Sequence, residues 1–124
     1  MGLARTGHSY PARMIEQVIP VLRTRNAENA SAWYARMGFR KEWEHRFEPS
    51  LPAFVSIVRD ELRLFLSEHA GDAPGPALVY LRIQDLEAVA EAYDKEVVRQ
   101  PWGANEVLLD DPDGNRVRVG WASK

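Results

Sequence analysis

The chain has no cysteine among its 124 residues. That excludes a disulfide framework, a thiol nucleophile and a thiolate metal site, and it fits a reducing compartment such as the cytoplasm. No apolar run is long enough to span a bilayer, so no membrane role is expected. An excess of positive charge is also missing: 16 Lys and Arg stand against 18 Asp and Glu, a formal charge of −2. Nucleic-acid binding needs a basic footprint that displaces counterions, so no nucleic-acid partner is expected either. Histidine is scarce: His8, His45 and His69 are the three present, and none has a matched partner at metal-ligating spacing. The opening residues 1–13, MGLARTGHSYPAR, contain no acidic residue and no apolar stretch of the kind a signal peptide carries. They read as a disordered extension or as residues foreign to the native chain, with Met14 starting the folded part.

What is present describes an ordinary globular domain. Hydrophobic residues make up 45% and charged residues 27%, and residues 14–124 suffice for one domain to bury a core without staples. The strongest internal signal is a repeat, with copies at residues 14–70 and 75–124. PVLRTRNAENASAWY (Pro20 to Tyr34) aligns with VYLRIQDLEAVAEAY (Val79 to Tyr93), matching Leu22 with Leu81, Arg23 with Arg82, Glu28 with Glu87 and Tyr34 with Tyr93. Each copy is a short apolar run, a polar cap and an amphipathic helix. Asn26 and Asp85 stand where a side-chain oxygen satisfies free backbone N–H groups, and Glu28 and Glu87 favour the helix dipole from the first turn. Ala30, Trp33, Tyr34 and Met37 form one helical face that Gly38 ends; Leu86, Val89, Ala90 and Tyr93 form the other.

Strand patterns follow each helix. RKEWEHRF alternates, with Trp43, His45 and Phe47 on one side; AFVSIV and ELRLFLS follow, joined by a tight turn at Arg59-Asp60. In the second copy EVLL and RVRVGW flank DDPDGN, a strong turn signal. Each half therefore reads β-α-β-β-β. The fold class is α+β, two tandem modules forming a cup-like curved sheet with the helices outside. Trp102 sits in QPWGANEVLL, on a loop of proline and glycine, where a large ring is either a lid over the core or a platform for a ligand.

The repeat, the Gly-Phe after the first helix and DPDGNRVRV near the end together resemble the vicinal-oxygen-chelate, or glyoxalase-like, superfamily over Ile15 to Ala122. Its enzymes hold a divalent metal through His, Gln or Glu on the first and last strand of each half. Aligned to that pattern, the positions fall on Ile19, Arg63, Leu78 and Arg118, two aliphatic residues and two permanent cations that would repel a metal. The resemblance therefore implies no metal, no other cofactor and no catalysis. IPVLRTRN, FVSIVRDELRLFLS and QPWGANEVLLDDPDGNRV are similar in particular to the bleomycin-resistance proteins, most closely at Gln-Pro-Trp-Gly. This implies a homodimer that sequesters bleomycin-type glycopeptide antibiotics unmodified, with the planar bithiazole between Trp102 and Phe54. Offset stacking suits such a ligand, each aromatic pair adding about 0.5–1.5 kcal/mol beyond area burial.

Gly103 lets the backbone approach a ligand, while Trp43, Phe47, Phe65 and Tyr80 are candidates for the cup lining that also suit a core. Trp33, Tyr34 and Trp121 read as core. Glu42, Glu44 and Glu48 lie near the rim, as a solvated face or as acceptors of a cationic ligand. Arg63 and Arg118 would place positive charge in the cup, either neutralised by carboxylates or anchoring an anionic ligand. Pro20 within the first strand breaks a ladder bond, as at an edge, and the resemblance implies that this N-terminal strand is exchanged between protomers. The alternatives are a metal-dependent glyoxalase-like lyase or dioxygenase, an antibiotic-modifying transferase, or a binder of another small, anionic ligand.

Overall fold

The computed structural model describes residues 16–122; the opening segment set apart above, with His8 and Met14, lies outside them. Two modules follow one another. The first comprises β1 (Val21–Arg23), α1 (Ala27–Ala35), β2 (Arg40–His45), β3 (Phe54–Arg59) and β4 (Leu62–Ser67). The second comprises β5 (Leu78–Arg82), α2 (Leu86–Ala92), β6 (Val98–Arg99), β7 (Asn105–Asp110) and β8 (Arg116–Trp121). Each module makes a four-stranded sheet, ordered β1-β4-β3-β2 and β5-β8-β7-β6. In each the first strand runs parallel to the last and the remaining pairs are antiparallel. The α+β class and the duplicated β-α-β-β-β module are those the sequence indicates.

Local chemistry sets the element ends. Asn26 Oδ1 accepts from the Asn29 amide at 2.9 Å and Asp85 Oδ1 from the Ala88 amide at 3.3 Å, so both expected caps form. Gly38, at φ 99°, takes the left-handed conformation that ends the first helical segment. Pro20, expected inside the first strand, stands just before it. Its carbonyl accepts from the Phe65 amide at 2.9 Å and β1 begins at Val21, so its missing N–H removes no rung of that ladder.

Strand alternation then decides the faces. Val55, Ile57, Leu64 and Leu66 of the first sheet share one buried cluster with Val79, Leu81, Val107, Leu109, Val117 and Val119 of the second. Ala30, Tyr34, Val89 and Tyr93 of the helices complete it, and Trp33 and Trp121 pack partly buried against it. The helices meet where the Trp33 and Tyr93 rings lie 4.7 Å apart. Among the described residues no strand of one sheet pairs with a strand of the other. The curved sheet expected as one cup with helices outside is thus present as two half-cups. Their outer faces are separated by the core that both inner faces and both helices share.

The DDPDGN turn ties the modules together. Asp111 is buried and accepts from the amides of Asp113 and Asn115, from Asn115 Nδ2, and from Tyr34 Oη at 2.7 Å. Asp113 accepts from Thr24 Oγ1 at 2.7 Å and from the Arg25 amide at 2.9 Å.

Two outer faces form the candidate site

On the first outer face, alternation turns Phe54 and Ser56 of β3 and Arg63 and Phe65 of β4 away from the core. β2 joins them through a bulge between Lys41 and Trp43. The extra residue interrupts alternation, so Glu42 and Trp43, although adjacent, both reach this face. Trp43 lies nearly parallel to Phe54, with centroids 6.1 Å apart and planes at 12°, and it also meets Phe65 at 5.4 Å. Phe54 and Phe65 are edge to face at 5.1 Å. Phe47, past the end of β2, is almost bare and meets His45 edge-on at 4.8 Å. Trp43, Phe47 and Tyr80, each suited to a core by residue type, are instead exposed.

Arg63 does not stand free on this face. Its Nη2 donates to Glu42 Oε2 at 2.7 Å and its Nε to Oε1 at 3.0 Å, a bidentate pair. Ser56 Oγ donates to the same Oε1 at 2.7 Å. Arg63, and then Ser56, hold the Glu42 carboxyl below the ordinary carboxylate range.

The second outer face carries Tyr80 of β5, Glu106 and Leu108 of β7, and Arg118 and Gly120 of β8. Beside it the chain turns at Pro101 to Gly103, closed by the Gln100 amide donating to the Ala104 carbonyl at 2.8 Å and the Gly103 amide to the Gln100 carbonyl at 2.9 Å. Gly103 sits at φ 101°, a conformation side chains oppose. Trp102 at the tip is 65% exposed, so the ring is no lid over the core.

The Arg118 guanidinium lies 5.9 Å from the Trp102 ring and 5.7 Å from the Tyr80 ring. Its Nη2 donates to Glu106 Oε1 at 2.7 Å, while its buried Nε has no hydrogen-bond partner among the described residues. Glu106 is almost fully buried and also accepts from Tyr80 Oη at 3.0 Å and Gln100 Nε2 at 3.3 Å. Burial opposes its ionisation, but the bonds from Arg118 and Tyr80 outweigh it and lower its pKa. Burial, and then donation to Glu106, raise the Tyr80 pKa. Gly120 makes room for this: a Cβ there would stand 2.0 Å from Tyr80 Oη. A hollow of about 390 Å³ beside Arg118 is lined by Leu108, Asp110 and Arg116.

Strand register makes the two faces comparable. Leu22 pairs with Leu66 and its counterpart Leu81 with Val119, so Phe65 corresponds to Arg118 and Arg63 to Arg116. Continuing across the next ladder, Phe54 corresponds to Glu106. One module thus carries two aromatic rings where the other carries an ion pair. The expected metal positions do not suit a divalent cation. Register makes Phe65, not Arg63, the first-module counterpart of Arg118, which corrects the expected placement. Ile19, Leu78 and Phe65 are apolar, Arg63 and Arg118 are bound to carboxylates, and no group of three His, Asp or Glu converges among the described residues. Glu106, Gln100 and Gly120 are the residues that sequence reasoning missed, and Glu42, placed near the rim, is found on Arg63. The signal for Glu106 was there, since alternation through NEVLLD and RVRVGW turns Glu106 and Arg118 to the same face.

Residues 5–123 match the family described as glyoxalase superfamily protein, a span that includes part of the opening segment. No curated protein sequence matches the chain. The structure is similar to a bleomycin-binding protein complexed with bleomycin, with a TM-score of 0.65 and 21% identity over 88% of this chain and 100% of that one. It is similar to a bleomycin resistance determinant encoded on the transposon Tn5, with a TM-score of 0.71 and 21% identity over 89% and 100% of the two chains. It is also similar to a lactoylglutathione lyase from Agrobacterium tumefaciens, with a TM-score of 0.62 and 21% identity over 90% and 95%. Likeness at this identity establishes a fold that hosts both binders and enzymes. With the family matched along nearly its whole length and the module visible twice in its strands, the chain belongs to the glyoxalase superfamily.

Proposed function

We propose that this protein binds a flat aromatic small molecule without transforming it, and that a bleomycin-type glycopeptide is that ligand. The single observation that carries the reading is the exposed Trp102 ring on a turn fixed by Gly103, beside an arginine already neutralised by Glu106. A bithiazole stacked between Trp102 and Phe54 needs both rings at one groove. The shared core keeps those rings on opposite sides of a chain, so each groove takes the first outer face from one protomer and the second from its partner. Exposed Trp43, Phe47, Leu78, Tyr80 and Leu108 give both faces apolar surface for a second copy to cover. A twofold dimer then has two such grooves, with the Pro20 segment exchanged between protomers.

The ion pairs bear on ligand charge. Arg63 and Arg118 each hold a carboxylate at 2.7 Å, which weakens the anion-binding alternative and removes the obstacle to a cationic drug. Likeness to a lactoylglutathione lyase keeps catalysis as the second reading; it calls for a converging set of metal donors, and no group of three His, Asp or Glu forms one among the described residues. The test is fluorescence titration with metal-free bleomycin. Saturable quenching is expected, reduced in Trp102→Ala, with binding weakened by about 1–3 kcal/mol and the melting temperature little changed. Exposed Trp43 contributes to the residual signal. A parent protein that never binds bleomycin, or a destabilised Trp102→Ala that binds as well as the parent, contradicts the reading.

A further inference from the structure

We propose that Glu106 sets the charge preference of the groove: by neutralising Arg118 from beneath, it makes the wall around Trp102 accept neutral and cationic flat ligands and disfavour anionic ones. This deepens the ligand-groove reading above and rests on it.

Glu106 is 1% exposed and collects Arg118, Tyr80 and Gln100 as donors, whereas Arg118 keeps part of its surface open beside the Trp102 and Tyr80 rings. A ligand lying on Trp102 therefore meets the guanidinium first and the carboxylate only through it. Among the described residues its Nε is unpartnered and the guanidinium's hydrogen bond is that from Nη2 to Glu106. Without that carboxylate the same group, flanked by two rings, is an unpaired cation with donors to offer an anion.

The fold itself does not require the pair. The corresponding positions of the first module hold Phe54 and Phe65, so the same two sites on the same scaffold also accept two packed rings. Gly120 is fitted to the network as well, because any side chain there would displace the Tyr80 hydroxyl that donates to Glu106. The carboxylate is thus a feature of the second face, placed where it cancels the Arg118 charge beside the Trp102 ring.

Two flat fluorescent probes of opposite charge, anilinonaphthalene sulfonate and thioflavin T, test this on the folded protein. Trp102→Ala identifies the signal that belongs to the groove. The parent is expected to prefer thioflavin T. Glu106→Gln, which keeps the shape and removes the charge, is expected to tighten the anionic probe and weaken the cationic one, each by about tenfold. Arg118→Gln leaves the carboxylate with Tyr80 and Gln100 as donors and should move both affinities the other way, so the proposal can be read even if Glu106→Gln does not fold. Equal shifts of both probes in either variant, or no shift in either, overturn the assignment while leaving the groove reading intact. Failure of the parent to bind either probe in a Trp102-dependent way overturns both.

Discussion

A single methyl group at position 120 decides whether Tyr80 can cross β8 to reach Glu106, because the added carbon would stand 2.0 Å from the phenol oxygen. Gly120→Ala should therefore cost about 1–3 kcal/mol in stability, measured by urea unfolding. A variant as stable as the parent would mean that Tyr80 has another resting place. The carboxylates of Glu42 and Glu106 carry a pH prediction. Both folded pKa values lie below the ordinary glutamate value, so their stabilising contribution is present above about pH 4.3. It is lost as pH falls through the lowered values. Unfolding free energy measured at pH 7 and pH 3 should fall on acidification, and less steeply in Glu42→Gln; an unchanged slope in that variant would contradict the ion-pair account. At this scale the sequence was legible where residue type constrains backbone, as at Trp102 between Pro101 and Gly103. Glu42 read as a rim residue, solvated or receiving a cationic ligand, because strict alternation in RKEWEHRF hides the bulge that turns it onto Arg63.

Among elements, the helices and the β3-β4 and β7-β8 hairpins were legible for local reasons. Their caps and turn residues act within a few positions, and Asn26, Asp85 and Asp60 do locally what their types favour. β6 was not legible, since two residues, Val98 and Arg99, are too few to show a period. The turn from Asp111 to Asn115, which carried much of the family resemblance, serves to staple the modules and lies on neither outer face. Tyr34→Phe leaves Asp111 buried without its phenol donor and should destabilise the protein by about 1–3 kcal/mol while ligand affinity stays near the parent's. Thermal melts and bleomycin titration on one preparation check both halves of that expectation. A stable variant with weakened binding would instead tie the turn to the groove.

For the whole molecule, periodicity told which face of each strand is buried but not what buries it. One continuous cup and two half-cups sharing a core hide the same Val, Leu and Ile positions, so the pattern alone cannot separate them. That is why the sequence gives no sign that Phe54 and Trp102 belong to the outer faces of two separate sheets. The central claim, that each groove is completed by a second copy, is tested most directly by complementation. Trp102→Ala and Phe54→Ala chains are each titrated with bleomycin, then unfolded, mixed and refolded together. In a mixed dimer one groove lacks both rings and the other keeps both. The account predicts that each variant alone binds weakly and that the mixture regains parental affinity at one site per mixed dimer. A mixture that binds no better than its stronger component, or a parent that sediments as a monomer at micromolar concentration while binding at full affinity, would contradict it.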